Sequence, residues 1–226
     1  MKVFCIIPAY NEERSVVDVV NKVKAMVNVV VVVDDCSTDK TFELASGTEA
    51  VVLRHALNRG QGAALETGDS YALKNGADIV VHFDADGQFL FDEIPDVLRP
   101  LKDGEADAVF GSRFLGKKTE MPFLKENILF PIARKVNNFF GVKTTDPQSG
   151  FRALNHKALK MISIQNDGSA HCTEILTKAF RYGLKVKEVP ITVVYNEFGQ
   201  GLLGGKGRGK GGLAIVRDLI LSRFIS

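Results

Sequence analysis

Five consecutive valines at positions 29–33 constrain the fold more than any other feature of this chain. β-Branched side chains favour strands, and an apolar run without polar alternation is typical of a strand buried on both faces. Similar runs occur at Val3–Pro8 and Ile79–Phe83, and valines repeat at helical spacing between Val16 and Val27. Strands that alternate with helices predict an α/β fold, in which helices flank a mostly parallel sheet on both sides.

Further predicted elements continue this alternation. Asn11 is expected to cap the helix that follows the first strand. Helices are predicted over Thr38–Ala45, Gly62–Lys74 and Ile94–Leu101, and strands over Ala50–Leu53, Ala108–Phe110 and Val186–Val194. Later in the chain, Asn127–Phe140 and Leu213–Phe224 have the pattern of amphipathic helices, and Gly199–Gly212 that of a basic, glycine-rich loop.

Composition excludes several classes of protein. A net charge of +2 gives no sign of nucleic-acid binding. The three cysteines are far apart and lack CxxC spacing, so they support neither a disulfide framework nor a zinc site, and we expect a reducing, cytoplasmic environment. No apolar run reaches the ~18 residues of a membrane span. We therefore expect no signal peptide and no membrane crossing.

The clearest chemical signal is the segment from Asp84 to Gln88, Asp-Ala-Asp-Gly-Gln, directly after a predicted strand. If the chain turns at Gly87, Asp84, Asp86 and the amide oxygen of Gln88 can converge. These are hard oxygen donors, which suit Mg²⁺ or Mn²⁺. Two adjacent carboxylates repel each other, and a cation that bridges them to a diphosphate relieves the repulsion. Taken alone, the motif is also consistent with a solvated Asp-Gly turn.

Two other polar motifs follow predicted strands. In Pro-Ala-Tyr-Asn-Glu, Tyr10 can stack on a nucleobase and Glu12 can accept hydrogen bonds from a base or ribose. Asp35 follows the valine strand, where an acidic residue can bind a base edge or a ribose hydroxyl. A helix cap with an incidental tyrosine is the plain alternative for the first motif.

Seven motifs occur in the order typical of family 2 glycosyltransferases, and the chain resembles the dolichol-phosphate mannose and glucose synthase branch of that family. The motifs are PAYNE at 8–12, DDCSTDKT at 34–41, NRGQG at 58–62, DADGQ at 84–88, GSRF at 111–114, DPQSGFR at 146–152 and EVPI at 188–191. The resemblance covers about residues 3–195. It implies a GT-A, Rossmann-like catalytic domain over 1–195, followed by the basic loop and amphipathic helix of 196–226.

The resemblance also implies roles for individual residues. It implies nucleotide binding by Pro8, Tyr10, Glu12, Asp35, Asp84 and Ala85, metal binding by Asp84, Asp86 and Gln88, catalytic roles for Asp86 and Arg113, and phosphate binding by Arg113, Ser149, Arg152, Lys206 and Arg208. A guanidinium offers a planar fork of donors that matches phosphate oxygens. Two plainer interpretations stay open, a surface ion pair for Arg113 and a pairing of Arg152 with Asp146. The family usually has glycine where this chain has Cys36, so the turn after Asp35 is expected to differ.

The function implied is an inverting transfer of a sugar from a nucleotide-sugar to a polyprenyl (dolichyl) phosphate at the cytoplasmic face of a membrane. GDP-mannose is the preferred donor, with UDP-glucose and UDP-N-acetylglucosamine as alternatives. Basic amphipathic helices can lie in a membrane interface, and a membrane partner subunit is an open expectation because some relatives use one.

The rival functions are transfer to a sugar hydroxyl, with Glu174 as the base, and a non-catalytic binding subunit. A nucleotidyltransferase is disfavoured, because no glycine-rich loop follows the first strand.

Overall fold

The structure is a computed structural model that describes residues 1–115 and 144–194. Its strands are β1 (Val3–Ala9), β2 (Val29–Asp34), β3 (Val51–Arg54), β4 (Ile79–His82), β5 (Ala108–Ser112), β6 (Arg152–Asn155) and β7 (Val186–Pro190). Its helices are α1 (Val16–Lys24), α2 (Thr41–Ser46), α3 (Gln61–Lys74), α4 (Ile94–Lys102), α5 (His156–Met161) and α6 (His171–Arg181), with a short 3-10 turn at Phe91–Glu93. The predicted segments 127–140, 199–212 and 213–224 lie outside the described residues.

The seven strands form one sheet in the order β3-β2-β1-β4-β6-β5-β7. Every neighbouring pair is parallel except those of β6, which runs antiparallel to both β4 and β5. The predicted mostly parallel sheet, flanked by helices, is therefore confirmed. Because β1, β2, β3 and β4 run in the same direction, the loops that follow them emerge at one edge of the sheet.

Alternate side chains of the sheet pack into two apolar cores. In β1, Cys5 and Ile7 belong to the core that includes α1 and α4, whereas Phe4 and Ile6 belong to the core that includes α3, α5 and α6. The valine strand β2 contributes to both cores, which explains its unbroken apolar run. Each buried valine stabilises the fold by about 1.5–3 kcal/mol relative to exposure. Within the described ranges, no helix is both long and apolar enough to span a bilayer.

The first helix begins later than the sequence predicts. α1 starts at Val16 with Ser15 at its cap position, and Asn11 has a φ of 57°, in the left-handed region that asparagine tolerates. Asn11 Oδ1 accepts a hydrogen bond from the Thr38 N–H at 2.9 Å, and the Asn11 N–H donates to Ser37 Oγ at 2.9 Å. The prediction that Asn11 caps the helix is therefore wrong, because the residue joins two loops instead.

Candidate active site

The loops after β1 and β2 are fixed to each other at the carboxyl edge of the sheet. Besides the contacts of Asn11, the Glu12 N–H donates to Thr41 Oγ1 at 2.7 Å, and the Glu13 N–H donates to Asp39 at 3.2 Å. Tyr10 lies on the same loop with 40% of its surface exposed. The loop after β1 therefore presents an accessible aromatic ring and a carboxyl group from a rigid backbone.

The turn after β4 carries the two aspartates of the Asp-Ala-Asp motif. Gly87 has a φ of 71°, so the chain turns where the sequence predicts. The Gln88 N–H donates to Asp86 Oδ1 at 3.0 Å and closes the turn on itself. Ala85 is buried beneath the turn, while Asp84, Asp86 and Gln88 are half-buried.

Three phenylalanines anchor this turn to the segment that precedes β6. Phe83 and Phe89 flank the turn in sequence, and their ring centroids are 5.7 Å apart. Phe151 packs against both, at 5.2 Å from Phe83 and 5.3 Å from Phe89. Aromatic pairs at such distances stabilise beyond the area that they bury. The Asp84–Asp86 turn and the Asp146–Arg152 segment are thereby held together.

Asp84 is oriented from two sides. The side-chain amide of Gln61, at the start of α3, donates to Asp84 Oδ1 at 2.7 Å. On the other side, the backbone of Gly150 approaches so closely that a Cβ at this position would lie 2.6 Å from Asp84 Oδ2. Sequence reasoning assigned no role to Gln61 or Gly150, although both stand in motifs that it identified.

The surroundings of the carboxyl groups at this edge of the sheet disfavour their ionised forms. Burial, and then the neighbouring Asp86 carboxylate, raise the pKa of Asp84 to about 7. Burial likewise raises the pKa of Asp86. Burial, reinforced by Asp86 and Asp39, raises the pKa of Glu12 to about 7. Crowded, half-buried carboxylates are hard oxygen donors, so the Asp84–Asp86 pair fits a divalent cation.

The described residues alone do not form a larger metal cluster. Among residues 1–115 and 144–194, no group of three or more His, Cys, Asp or Glu side chains is arranged to hold a metal. An ion on Asp84 and Asp86 would therefore need further ligands, such as Gln88 or the oxygens of a bound diphosphate.

Asp35 is buried and stabilises the loop between β3 and α3. Its carboxylate contacts His55 Nδ1 at 2.7 Å and accepts from the backbone N–H groups of Arg59 at 2.9 Å and Gly60 at 2.6 Å. Gly60 has a φ of 105°, and a Cβ there would lie 2.3 Å from the Asp167 carbonyl oxygen. Both oxygens of Asp35 are thus used within the protein, and its contact with a nucleoside stays a prediction.

Cys36, which follows Asp35, has a φ of 62°. This is the left-handed region of backbone conformation, which glycine adopts without strain, so the position suits glycine.

Arg113 forms a largely buried ion pair with Asp146. Its Nε and Nη2 atoms donate to the two Asp146 oxygens at 2.6 and 2.7 Å, and only 11% of its side chain is exposed. The alternative pairing of Arg152 with Asp146 is therefore wrong, because Arg113 occupies that carboxylate. Arg113 does form an ion pair, but the interpretation that this pair lies on the surface is wrong, because both side chains are largely buried. Phosphate binding by Arg113 stays a prediction.

Ser149 and Arg152 are buried rather than exposed to an open acceptor cleft. The Ser149 hydroxyl donates to the Phe151 carbonyl oxygen at 3.4 Å. Arg152 is 1% exposed, and its Nη2 lies 3.5 Å from Cys172 Sγ. Pro8 lies buried at the end of β1. Lys206 and Arg208 lie outside the described residues. The phosphate-binding roles of Ser149, Arg152, Lys206 and Arg208 stay predictions, as does that of Arg113.

The loops described above belong to a stretch of sequence that matches the model of a known protein family. The model of glycosyl transferase family 2 matches residues 4–163, which include the Tyr10, Asp35 and Asp84–Asp86 loops. This chain belongs to glycosyltransferase family 2. The predicted family, the predicted enzyme class and the predicted GT-A fold are therefore confirmed.

Two relatives and one solved structure are similar to this chain over most of their own length. The UDP-N-acetylglucosamine–dolichyl-phosphate N-acetylglucosaminyltransferase of Methanococcus voltae is 33% identical, over 87% of this chain and 87% of that protein. The undecaprenyl-phosphate mannosyltransferase of Micrococcus luteus is 30% identical, over 99% and 96% of the two chains. Glucosyl-3-phosphoglycerate synthase from Mycobacterium tuberculosis, solved with Mn²⁺, UDP-glucose and phosphoglyceric acid, has the same fold, with a TM-score of 0.75 and 22% identity over 98% of this chain and 79% of that chain.

Proposed function

We propose that this family 2 glycosyltransferase transfers a sugar from a nucleoside diphosphate sugar to a polyprenyl phosphate. The supporting observation is the similarity, over 87% and 99% of this chain, to two enzymes whose names give different sugars but the same class of acceptor, a polyprenyl-type phosphate. The acceptor class is therefore better supported than the sugar. GDP-mannose is the preferred donor, and UDP-N-acetylglucosamine and UDP-glucose are the alternatives to test.

In this proposal the donor binds across the loops after β1 and β4. Tyr10 and Glu12 would contact the nucleoside, and Asp84 and Asp86, with Gln88, would hold Mg²⁺ or Mn²⁺. The fold relative that was solved with Mn²⁺ and UDP-glucose supports the metal assignment at the level of the fold. When bound, the cation would neutralise charge on the departing nucleoside diphosphate.

A phosphate acceptor simplifies the chemistry required of the protein. A phosphate monoester has a second pKa near ~6, so it is already largely dianionic at neutral pH and needs no general base. The protein must hold the phosphate in line with the anomeric carbon, and inversion follows from attack on the face opposite the leaving group. Arg113, oriented by Asp146, is the proposed source of phosphate contacts, whereas Arg152 and Ser149 are buried and would reach the phosphate only after a rearrangement of this segment.

The rival function, transfer to a sugar hydroxyl, requires a carboxylate base. The candidate Glu174 accepts from the Gln165 N–H at 3.0 Å, the Asn166 N–H at 2.8 Å and Lys178 Nζ at 2.6 Å. Burial raises the pKa of Glu174, but the hydrogen bonds from Lys178 and the two amides outweigh it and hold the pKa below its usual value. A carboxylate stabilised in this way is a poor base, which favours the phosphate acceptor.

The acceptor also implies a location. Polyprenyl phosphates reside in bilayers, so we propose peripheral association with the cytoplasmic face of a membrane. The basic amphipathic sequences at 127–140 and 213–224 are the candidates for that contact.

The direct test is transfer of radiolabelled sugar into organic-extractable lipid. Purified protein with Mn²⁺ or Mg²⁺ and a polyprenyl phosphate is offered GDP-mannose, UDP-glucose and UDP-N-acetylglucosamine in separate reactions. We expect metal-dependent label in the lipid phase from one donor, and its loss in Asp86→Ala. Donor hydrolysis or tight nucleotide binding without lipid label from any of the three would contradict the proposal.

A further inference from the structure

His55 occupies a largely buried position between the end of β2 and helix α3. Its Nδ1 atom lies 2.7 Å from Asp35 Oδ1, and its Nε2 atom lies 2.9 Å from Thr67 Oγ1 on α3. Only 10% of the His55 side chain and 4% of the Asp35 side chain are exposed. The transfer reaction proposed above gives no role to His55 or Thr67, although both ring nitrogens of the histidine have partners.

The direction of these hydrogen bonds follows from the other partners of Asp35. Its carboxylate already accepts from the backbone N–H groups of Arg59 and Gly60. An ionised carboxylate offers only acceptors, so His55 Nδ1 carries a proton and donates to Asp35. The Nε2 atom pairs with the Thr67 hydroxyl in either charge state of the ring, because a hydroxyl both donates and accepts. The arrangement therefore holds whether the ring is neutral or charged.

The Asp35 carboxylate fixes the backbone that leads into α3. It holds the N–H groups of Arg59 and Gly60 from one side. On the other side, the Asp167 carbonyl oxygen accepts from the Gly62 N–H at 2.8 Å. The same oxygen would lie 2.3 Å from a Cβ at Gly60, so the two backbones are in close contact. The start of α3 is therefore clamped between the end of β2 and the loop that contains Asp167.

Gln61 lies within this clamped segment and extends from it to the candidate metal site. Its side-chain amide donates to Asp84 Oδ1 at 2.7 Å. Asp84 is one of the two aspartates that are proposed to hold the divalent cation. Groups that orient metal ligands through hydrogen bonds raise the affinity for the metal. A shift of the backbone at the start of α3 would move the Gln61 amide relative to Asp84, and would thereby weaken metal binding.

We propose that His55 is a positioning residue for the metal site. Its effect passes through Asp35 and the backbone at the start of α3 to the Gln61 amide. The route connects the end of β2 to the turn after β4, two strands that are not neighbours in the sheet. This inference rests on the metal assignment in the proposed function, and it is independent of the sugar and of the acceptor.

Mn²⁺ binding in the absence of any donor tests this route. Titration calorimetry on the full-length protein gives the Mn²⁺ Kd of His55→Ala, of Gln61→Ala and of the double variant. We expect a rise of about three- to tenfold in His55→Ala, which is less than for removal of a group that touches a metal ligand. In the Gln61→Ala background, the same substitution should change the Kd by less than about twofold, because the amide through which His55 acts is already absent.

Two conservative variants separate the contact with Asp35 from the contact with Thr67. In asparagine, as in histidine, a nitrogen bonded to Cγ can donate to Asp35. The glutamine amide lies one bond further from the backbone, on the side of Thr67. We expect His55→Asn to keep a Mn²⁺ Kd close to that of the unsubstituted protein, and His55→Gln to bind Mn²⁺ as weakly as His55→Ala. Circular dichroism checks the folding of each variant, and this pair carries the test if His55→Ala does not fold.

The outcomes that would overturn the proposal are distinct from a failure of the proposed function. Equal Kd values for His55→Asn and His55→Gln would show that the donor to Asp35 does not matter. The same rise from His55→Ala with and without Gln61 would show that His55 does not act through the amide. If the unsubstituted protein binds no Mn²⁺, the metal assignment itself is contradicted, and this inference with it.

Discussion

At the scale of single residues, the orientation of Asp84 depends on two neighbours that carry no charge. Gln61 donates to one oxygen of its carboxylate, and the bare backbone of Gly150 leaves room for the other. The sequence predicts the carboxylate pair because two aspartates and a glycine directly follow an apolar strand. It does not predict these two neighbours, because their contacts join positions that are distant along the chain.

Substitution of Gly150 by alanine is expected to weaken metal binding. The added Cβ would lie 2.6 Å from Asp84 Oδ2, so the carboxylate must move. We expect the Kd for Mn²⁺ to rise at least about tenfold, as for losses of groups that support metal ligands. Gly168→Ala is the matched control, because its Cβ would meet nothing within 4 Å. Equal Mn²⁺ affinities for the two variants, measured by titration calorimetry, would contradict the assigned role of Gly150.

Removal of the Gln61 amide tests the other side of Asp84. In Gln61→Ala the Asp84 carboxylate loses its 2.7 Å hydrogen bond. Alanine is a good helix former, so the start of α3 should be preserved. We expect about a 10- to 100-fold rise in the Mn²⁺ Kd with little change in Tm. Gln165→Ala provides a surface control, and an unchanged Mn²⁺ Kd in Gln61→Ala would show that Asp84 is oriented without this amide.

At the scale of elements, the parallel strands follow from the sequence and β6 does not. Apolar runs and helical spacing indicate β1, β2, β4 and the helices between them, since each buries a continuous surface. β6 is only four residues long and begins with Arg152, so neither its length nor its polarity indicates a buried strand. Its position between β4 and β5 is decided by pairing across the sheet, which local sequence does not encode.

Glu188 of β7 fixes the segment that leads to β6. Its carboxylate accepts from the Thr145 N–H and hydroxyl at 2.9 Å each, and from the Asp146 N–H at 3.2 Å. The same segment carries Gly150 to Asp84. The EVPI motif therefore acts on the site through the backbone of residues 144–150.

We expect Glu188→Gln to lower the free energy of unfolding by about 1–3 kcal/mol, because donors at Thr145 and Asp146 lose a charged acceptor. Lys187→Gln in the same strand removes only a solvent-exposed ion pair with Glu105 and should lower the free energy of unfolding much less than Glu188→Gln does. Urea unfolding of both variants checks the difference. Similar losses of stability in the two variants would mean that Glu188 is not a specific anchor.

At the scale of the whole molecule, the crowded carboxyl groups make stability depend on pH and on metal. Glu12, Asp84 and Asp86 have raised pKa values, about 7 for the first two, so the folded state binds more protons than the unfolded state between about pH 4 and about 7. The contribution of these groups to stability is therefore present below pH 4 and is lost as pH rises through about 7.

In EDTA, we expect Asp84→Asn to become more stable than the unsubstituted protein as pH rises from about 4 to about 7.5, by a few degrees in Tm at the upper end. Asparagine keeps an acceptor for Gln61 but cannot ionise. Excess Mn²⁺ should reverse the order at pH 7.5, because only the aspartate binds the ion tightly. Thermal melts across this pH range test both statements, and a pH-independent difference between the two proteins would refute them.

Acceptor choice is the most direct test of the proposed reaction. A polyprenyl phosphate and the corresponding polyprenol are offered in parallel with the best donor and Mn²⁺, and labelled lipid is measured after equal times. We expect transfer to the phosphate alone, because a dianionic phosphate needs no base and Glu174 is held as a stabilised carboxylate. Equal or faster transfer to the polyprenol would show that the protein supplies a general base, and would contradict a lipid-phosphate transferase.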